Sequence, residues 1–228
     1  MARVAAAQID RTERKYLGSL IRSLPSDTPV VLVGSWARGT VIPDLSDIDV
    51  LVIGEHPTPT PPAEIQIILI PEGRFRERLR GGDDFPQWAL RFGVPLSGRK
   101  RWRELSESLL QDAPWPSVER KLEQADRKLS AVRDLLEMGD IPAAEEELRF
   151  ALSHIARALL LSRQVFPLSR PELAEQLAQA DLSSVARYLR RLNAPKPLTR
   201  TEIALLAGAA RRWANRLSPA TGEPAGKG

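Results

Sequence analysis

Strand-forming sequence occupies one stretch of this chain and then stops. PVVLVG (29–34), IDVLVI (48–53) and EIQIILI (64–70) are short runs rich in β-branched residues, and they predict three buried strands. Beyond Pro114 and Pro116 such runs cease and apolar residues recur at helical spacing. Val118, Leu122, Ala125, Leu129, Val132 and Leu136 mark one amphipathic helix, with Gly139 just past its end. Ile141-Pro142 opens the next, which carries Leu148, Ala151, Leu152, Ile155, Leu159 and Leu160. Two further helices are predicted behind capping boxes at Ser169–Glu172 and Thr199–Glu202, and residues 181–192 complete the helical half.

The first half also carries helical segments. Ile9, Tyr16, Leu17, Leu20, Ile21 and Leu24 form an apolar stripe that Pro25 ends. PEGRFRERLR (71–80) reads as a helix, and FPQWALRFGVPLSGRKRWRELSESLLQ (85–111) as a helix, a short extended piece at VPL and another helix. The expected fold is a short mixed sheet with flanking helices, residues 1–112, followed by an all-α bundle, residues 113–218. The tail 219–228, rich in glycine and proline, is expected to be disordered.

Composition narrows the chemistry. With no cysteine among 228 residues, there is no disulfide framework, no thiolate nucleophile and no sulfur-built zinc site. Only His56 and His154 offer imidazole, so a bound metal would be held mainly by oxygen, and Mg²⁺ is favoured. No apolar run approaches the roughly 20 residues of a membrane-spanning helix. Charges at Arg3, Asp10, Arg11, Glu13, Arg14 and Lys15 argue against a signal peptide, so a cytoplasmic location is expected. The net charge of +4 is modest, and basic clusters such as RFRERLR and RKRWR read as solvated helix faces or as sites for polyanions.

The segment GSWARGTVIPDLSDIDVLVI (34–53) carries the densest chemistry. Asp47 and Asp49 flank Ile48 at the start of a strand, so their carboxylates point the same way and are unfavourable together without a cation between them. Gly34 ends the preceding strand, and Ser35 is placed to cap a short helix that Gly39 ends. A phosphate-binding turn beside paired carboxylates is what phosphoryl transfer requires. A turn before a strand would by itself account for the Asp-x-Asp pair; the ordered combination favours a site. There is no G-x-x-x-x-G-K-[ST], no G-x-G-x-x-G and no EF-hand spacing.

At Gly34-Ser35, Ala37-Arg38-Gly39 and Ser46-Asp47-Ile48-Asp49 the sequence resembles the DNA polymerase β-like nucleotidyltransferase superfamily, in particular its minimal prokaryotic branch. The resemblance spans roughly residues 20–110 and includes WALRFGVPLSGR (88–99). It implies two Mg²⁺ ions held by three carboxylates, and transfer of a nucleoside monophosphate from a nucleoside triphosphate to a hydroxyl with release of pyrophosphate. By this resemblance Asp47 and Asp49 ligate the metals, and Gly34 and Ser35 hold the triphosphate. The third carboxylate sits on a later strand in the family. Here Glu64 and Gln66 share a face there, and Glu64 is the expected third carboxylate, which makes the site complete; if Gln66 aligns instead, the site is degenerate. Arg38 either meets phosphate or braces the motif by pairing with Asp44.

The helical half resembles HEPN or substrate-binding domains in its architecture. HEPN ribonucleases carry an arginine and a histidine a few residues apart, and Arg149 and His154 stand five positions apart in RFALSH. On a regular helix that separation turns by about 500°, about 140° net, which puts them on different faces unless the helix kinks. The expected partners are a nucleoside triphosphate and a hydroxyl acceptor, which is a small molecule, an RNA end or a protein, with no membrane and a homodimer through the helical half. The alternatives are a degenerate nucleotide- or partner-binding module of antitoxin type, or a HEPN-type ribonuclease.

Overall fold

Val30, Val31 and Leu32 have no polar side chain to offer solvent on either face, and together they form β1 (Val30–Leu32), a wholly buried inner strand. The computed structural model describes residues 9–41 and 47–217. Its four-stranded mixed sheet has the order β3-β2-β1-β4, with β2 at Ile48–Ile53, β3 at Ile65–Ile70 and β4 at Val94–Ser97. β1 runs antiparallel to β2 and β4, whereas β2 and β3 are parallel, with Ile48 level with Ile65 and Asp49 level with Gln66. A parallel pair needs a crossover, and the proline-rich stretch after β2 supplies it without a helix. The Tyr16 hydroxyl ties that crossover down by donating to the Pro59 carbonyl at 2.6 Å.

α1 (Arg11–Ser23) starts behind Asp10, whose side chain accepts from the Arg11 N–H, and stops where Leu24 turns extended ahead of Pro25. Its Leu17 and Leu20, with Leu24, pack on Val30, Leu32, Ile48, Val50, Val52 and Ile65. Burial of each such aliphatic side chain contributes about 1.5–3 kcal/mol. Because side chains alternate along β2, this packing leaves Asp49 and Leu51 on the opposite face of the sheet. α3 (Glu72–Arg80), α4 (Asp84–Phe92) and α5 (Arg99–Leu110) complete this half, with Phe75 and Trp102 edge to face at 6.4 Å. The extended piece expected at VPL is an edge strand of the sheet.

The chain divides into two compact units, Met1–Pro116 with Ser169–Pro171, and Ser117–Leu168 with Glu172–Gly228. The second unit is helical: α6 (Val118–Met138), α7 (Ile141–Ser162), α8 (Leu173–Gln179), α9 (Ser183–Leu192) and α10 (Arg200–Leu217). Ser117 caps α6 through the Arg120 N–H at 3.0 Å, Gly139 closes it at φ 82°, and Asp140 then caps α7 through the Ala143 N–H at 3.1 Å. Leu129, Leu148, Leu152, Ile155, Leu173, Leu177 and Ile203 lie in the core of this unit.

The expected box at Thr199–Glu202 forms, with Thr199 Oγ1 accepting from the Glu202 N–H at 3.2 Å and Glu202 accepting from the Thr199 N–H at 2.8 Å. At Ser169 the chain does not enter an α-helix directly. A 3₁₀ turn at Arg170–Glu172 carries the chain into α8, and no side chain caps that helix. Gln176 instead ties down the preceding loop, accepting from the Leu168 N–H at 2.8 Å and donating to the Phe166 carbonyl at 3.0 Å. Among the described residues no helix is long and apolar enough to cross a membrane. The tail 219–228 lies outside the described residues.

Candidate active site

α2 (Gly34–Arg38) is a single short helix between β1 and the Asp-x-Asp strand. Its cap position is Val33, which carries no side-chain oxygen, so Ser35 stands inside the first turn and is not the cap. The sheet sets this: the ladder to β2 ends at Val33, whose N–H donates to the Asp49 carbonyl at 2.9 Å, and the chain already turns at Gly34, ahead of Ser35. Gly39 ends the helix in the left-handed region at φ 69°, and the Thr40 N–H then closes on the Ser35 carbonyl at 3.0 Å.

Gly34 itself is left-handed, at φ 68°, and a Cβ at this position would collide with Oδ2 of Asp49. The turn out of β1 is therefore pressed against the carboxylate. Asp49 is half-buried, whereas Asp47 is exposed. The Asp49 carboxyl is pushed up to about 6, first by burial and then by the negative charge of Asp47; the Arg170 guanidinium acts in the opposite direction. Arg170 belongs to the Ser169–Pro171 segment of this same unit, where the Ser169 and Thr40 hydroxyl oxygens are 2.9 Å apart.

Arg38 lies with its guanidinium carbon 4.9 Å from the centroid of the Phe92 ring, a cation–π contact on α4. Asp44, the partner in one of the two readings of Arg38, lies outside the described residues, as does Ser46 of the motif.

The later strand orders its two candidates clearly. Gln66 is level with Asp49, while Glu64 precedes β3 and its carbonyl accepts from the Ile48 N–H at 2.8 Å. Both side chains are exposed. Gly34, Asp47 and Asp49 thus come together, whereas among the described residues no three carboxylates or imidazoles are grouped to hold a metal. A pair of carboxylates still fits Mg²⁺, which is commonly bound through one or two carboxylates with substrate phosphates and water filling the remaining positions.

In the helical unit α7 is one α-helix from Ile141 to Ser162. Arg149 pairs there with Glu145 at 2.8 Å, and the half-buried His154 stands five positions further along. Arg170 is the residue near the site that the sequence does not reveal. It sits over a hundred positions from Asp49 inside an apparent capping box, and no spacing rule connects the two.

Residues 13–124 match the family model of the nucleotidyltransferase domain. No curated protein matches the chain. Among solved structures, the chain is similar to a nucleotidyltransferase-like protein from Exiguobacterium sibiricum 255-15, with 18% identity and a TM-score of 0.42, over 90% of this chain and 74% of that one. The family match encloses all four strands, Gly34, Asp47, Asp49 and Glu64. Residues 13–124, just under half of the chain, are thus similar to a nucleotidyltransferase domain.

Proposed function

We propose that the first unit is a Mg²⁺-dependent nucleotidyltransferase that moves a nucleoside monophosphate from a nucleoside triphosphate to a hydroxyl. The observation that carries this reading is the seating of Gly34 against Asp49, with the second carboxylate of Asp47 two positions away, just ahead of the same strand. A half-buried carboxylate held beside another carboxylate is an unfavourable arrangement that a divalent cation relieves. Asp47 and Asp49 would hold two Mg²⁺, whose chemistry is to neutralise charge on the phosphates and polarise the reacting phosphoryl group. Gly34 and Ser35 would orient the triphosphate from the turn, and Arg38, based on Phe92, is the cation we assign to its phosphates. Glu64 would complete the set on the side of the acceptor. In the transfer the acceptor oxygen bonds to the α-phosphorus as the bond to pyrophosphate breaks.

The test is transfer of α-phosphate label from each nucleoside triphosphate, with Mg²⁺, to small-molecule, RNA and protein acceptors. Transfer by the wild type and its loss in Asp49→Asn support the reading; label transfer that survives Asp49→Asn sinks it.

Gln66 favours a second reading. An amide level with Asp49 cannot act as an anionic ligand, and a domain so built would bind a nucleotide or a protein partner without turning it over. Mg²⁺-dependent nucleotide binding with no transfer to any acceptor, unchanged in Glu64→Gln, is the outcome that reading expects.

A further inference from the structure

The sheet has a second polar end. β2 runs from Asp49 near its start to Ile53 at its close, a span of roughly 13 Å. At the Ile53 end lies an open cleft of about 710 Å³, lined by Thr28 ahead of β1 and by Gly98, Arg99 and Lys100 at the start of α5. Gly98 makes this junction possible. It is left-handed at φ 61°, and a Cβ there would stand 2.5 Å from the Thr28 carbonyl, so only glycine lets the start of α5 sit against the Thr28–Pro29 peptide.

Two independent features point into the cleft. α5 is a 12-residue helix that begins without a side-chain cap, and among the described residues its Arg99, Lys100 and Arg101 N–H groups have no acceptor. Thr28 is only 6% exposed, yet its hydroxyl makes no hydrogen bond among the described residues while the residue lines the cleft. Its oxygen is not sealed off from solvent, so it is available to a ligand in the cleft. The charges around it are divided. Glu72 is taken up by Arg76 and Arg101, at 2.8 and 2.7 Å, and Glu104 stands 3.9 Å from Arg101. Arg99 and Lys100 have no ion-pair partner among the described residues, and His56 lines the same cleft. Exposed Asp27 is the carboxylate that opposes them.

We propose that this cleft binds a phosphate group, at a site separate from the one built on Asp49. The free N–H groups of α5 and the Thr28 hydroxyl would donate to the phosphate oxygens, and Arg99 and Lys100 would supply the charge. The phosphate arrives either free or as a monoester of a small metabolite, since the cleft is open on one side.

Titrating the full chain by calorimetry with inorganic phosphate, and separately with ribose 5-phosphate, tests this in EDTA at fixed ionic strength. Saturable binding is expected. Thr28→Val and the double variant Arg99→Ala/Lys100→Ala should each weaken it about tenfold, and Asp27→Asn should strengthen it about threefold. Stronger binding of the monoester identifies the ester as the ligand, and equal binding identifies the free anion. Asp49→Asn should leave the binding intact, which separates this site from the proposed catalytic one. Absence of saturable binding overturns the proposal, as does full binding by a folded Thr28→Val protein or binding that disappears in Asp49→Asn.

Discussion

Gly34 and Asp49 meet across the β1–β2 ladder so closely that no side chain fits at Gly34: a Cβ there would strike Oδ2 of the carboxylate. The same glycine is left-handed, so both its backbone and its surroundings demand the absence of a side chain. Gly34→Ala should cost about 1–2 kcal/mol from the left-handed alanine alone, with the displaced carboxylate adding to it. Urea denaturation measures the loss. The structure further predicts that Mg²⁺-dependent nucleotide binding falls more steeply than stability, because the substitution moves the proposed ligand itself.

The Asp49 carboxyl gives the fold a pH dependence of definite sign. Its pKa in the folded chain is raised from 3.8 to about 6, by burial first and by Asp47 second. The folded state therefore holds its proton more tightly than the unfolded chain does, and stability falls as pH rises from about 4 through about 6. Asp49→Asn should abolish that fall. In metal-free buffer the variant should be more stable than wild type by about 1–3 kcal/mol at pH 8, with the difference gone at pH 3. Denaturation curves at several pH values decide it, and a variant less stable than wild type at pH 8 contradicts the prediction.

Gln66 is level with Asp49, and Glu64 stands one step before the paired residues Ile48 and Ile65. If Glu64 serves the acceptor side, Glu64→Gln should lower transfer by at least about a hundredfold, the scale of a lost acid–base or charge-stabilising group, while Gln66→Ala leaves it within a few fold. Both side chains are exposed, so neither substitution should shift the melting temperature by more than a degree or two.

The capping box of α10 gives an independent pH test in the helical unit. Glu202 is lowered to about 2, by the Thr199 backbone N–H first and by Arg191 and the Thr199 hydroxyl after it. A depressed carboxylate contributes stability that is present above about 4.5 and is lost as pH falls toward about 2. Glu202→Gln should therefore weaken α10 at neutral pH and match wild type near pH 2. Thr199→Ala should cost about 0.5–2 kcal/mol, the usual loss of a side-chain cap. Helical circular dichroism followed against temperature at pH 7 and pH 2 measures both.

The sequence displays local decisions well and register poorly. β1, β2 and β3 stand out as short β-branched runs, and the end of α6 and the start of α7 stand out because Gly139 follows the last apolar position and Ile141-Pro142 opens the next helix; the caps Ser117 and Asp140 emerge only in the structure. β4 is legible only as a short extended piece at VPL, since four residues that include Pro95 become an edge strand only where β1 is there to pair with. Ser35 reads as a cap because serine is a favoured cap residue, but the ladder ends at Val33 and the chain turns at Gly34, so the helix begins two residues earlier than a Ser35 cap would place it. Alternation puts Glu64 and Gln66 on one face and leaves open which of them faces Asp49. That depends on how a parallel strand registers after its crossover, a tertiary matter. Arg170 is invisible for the same reason, since its place near Asp49 is set by folding and not by spacing.

We propose that Asp47 and Asp49 form a divalent-cation site that is completed by a nucleoside triphosphate. Electron paramagnetic resonance of Mn²⁺ titrated into the full chain with a non-hydrolysable triphosphate tests it directly, because bound and free ion are counted separately and no acceptor is needed. Mn²⁺ should bind tightly when chain and nucleotide are both present, and Asp49→Asn should reduce this to the level of nucleotide alone. Equal Mn²⁺ binding by wild type and Asp49→Asn would contradict the assignment of this pair as the metal site.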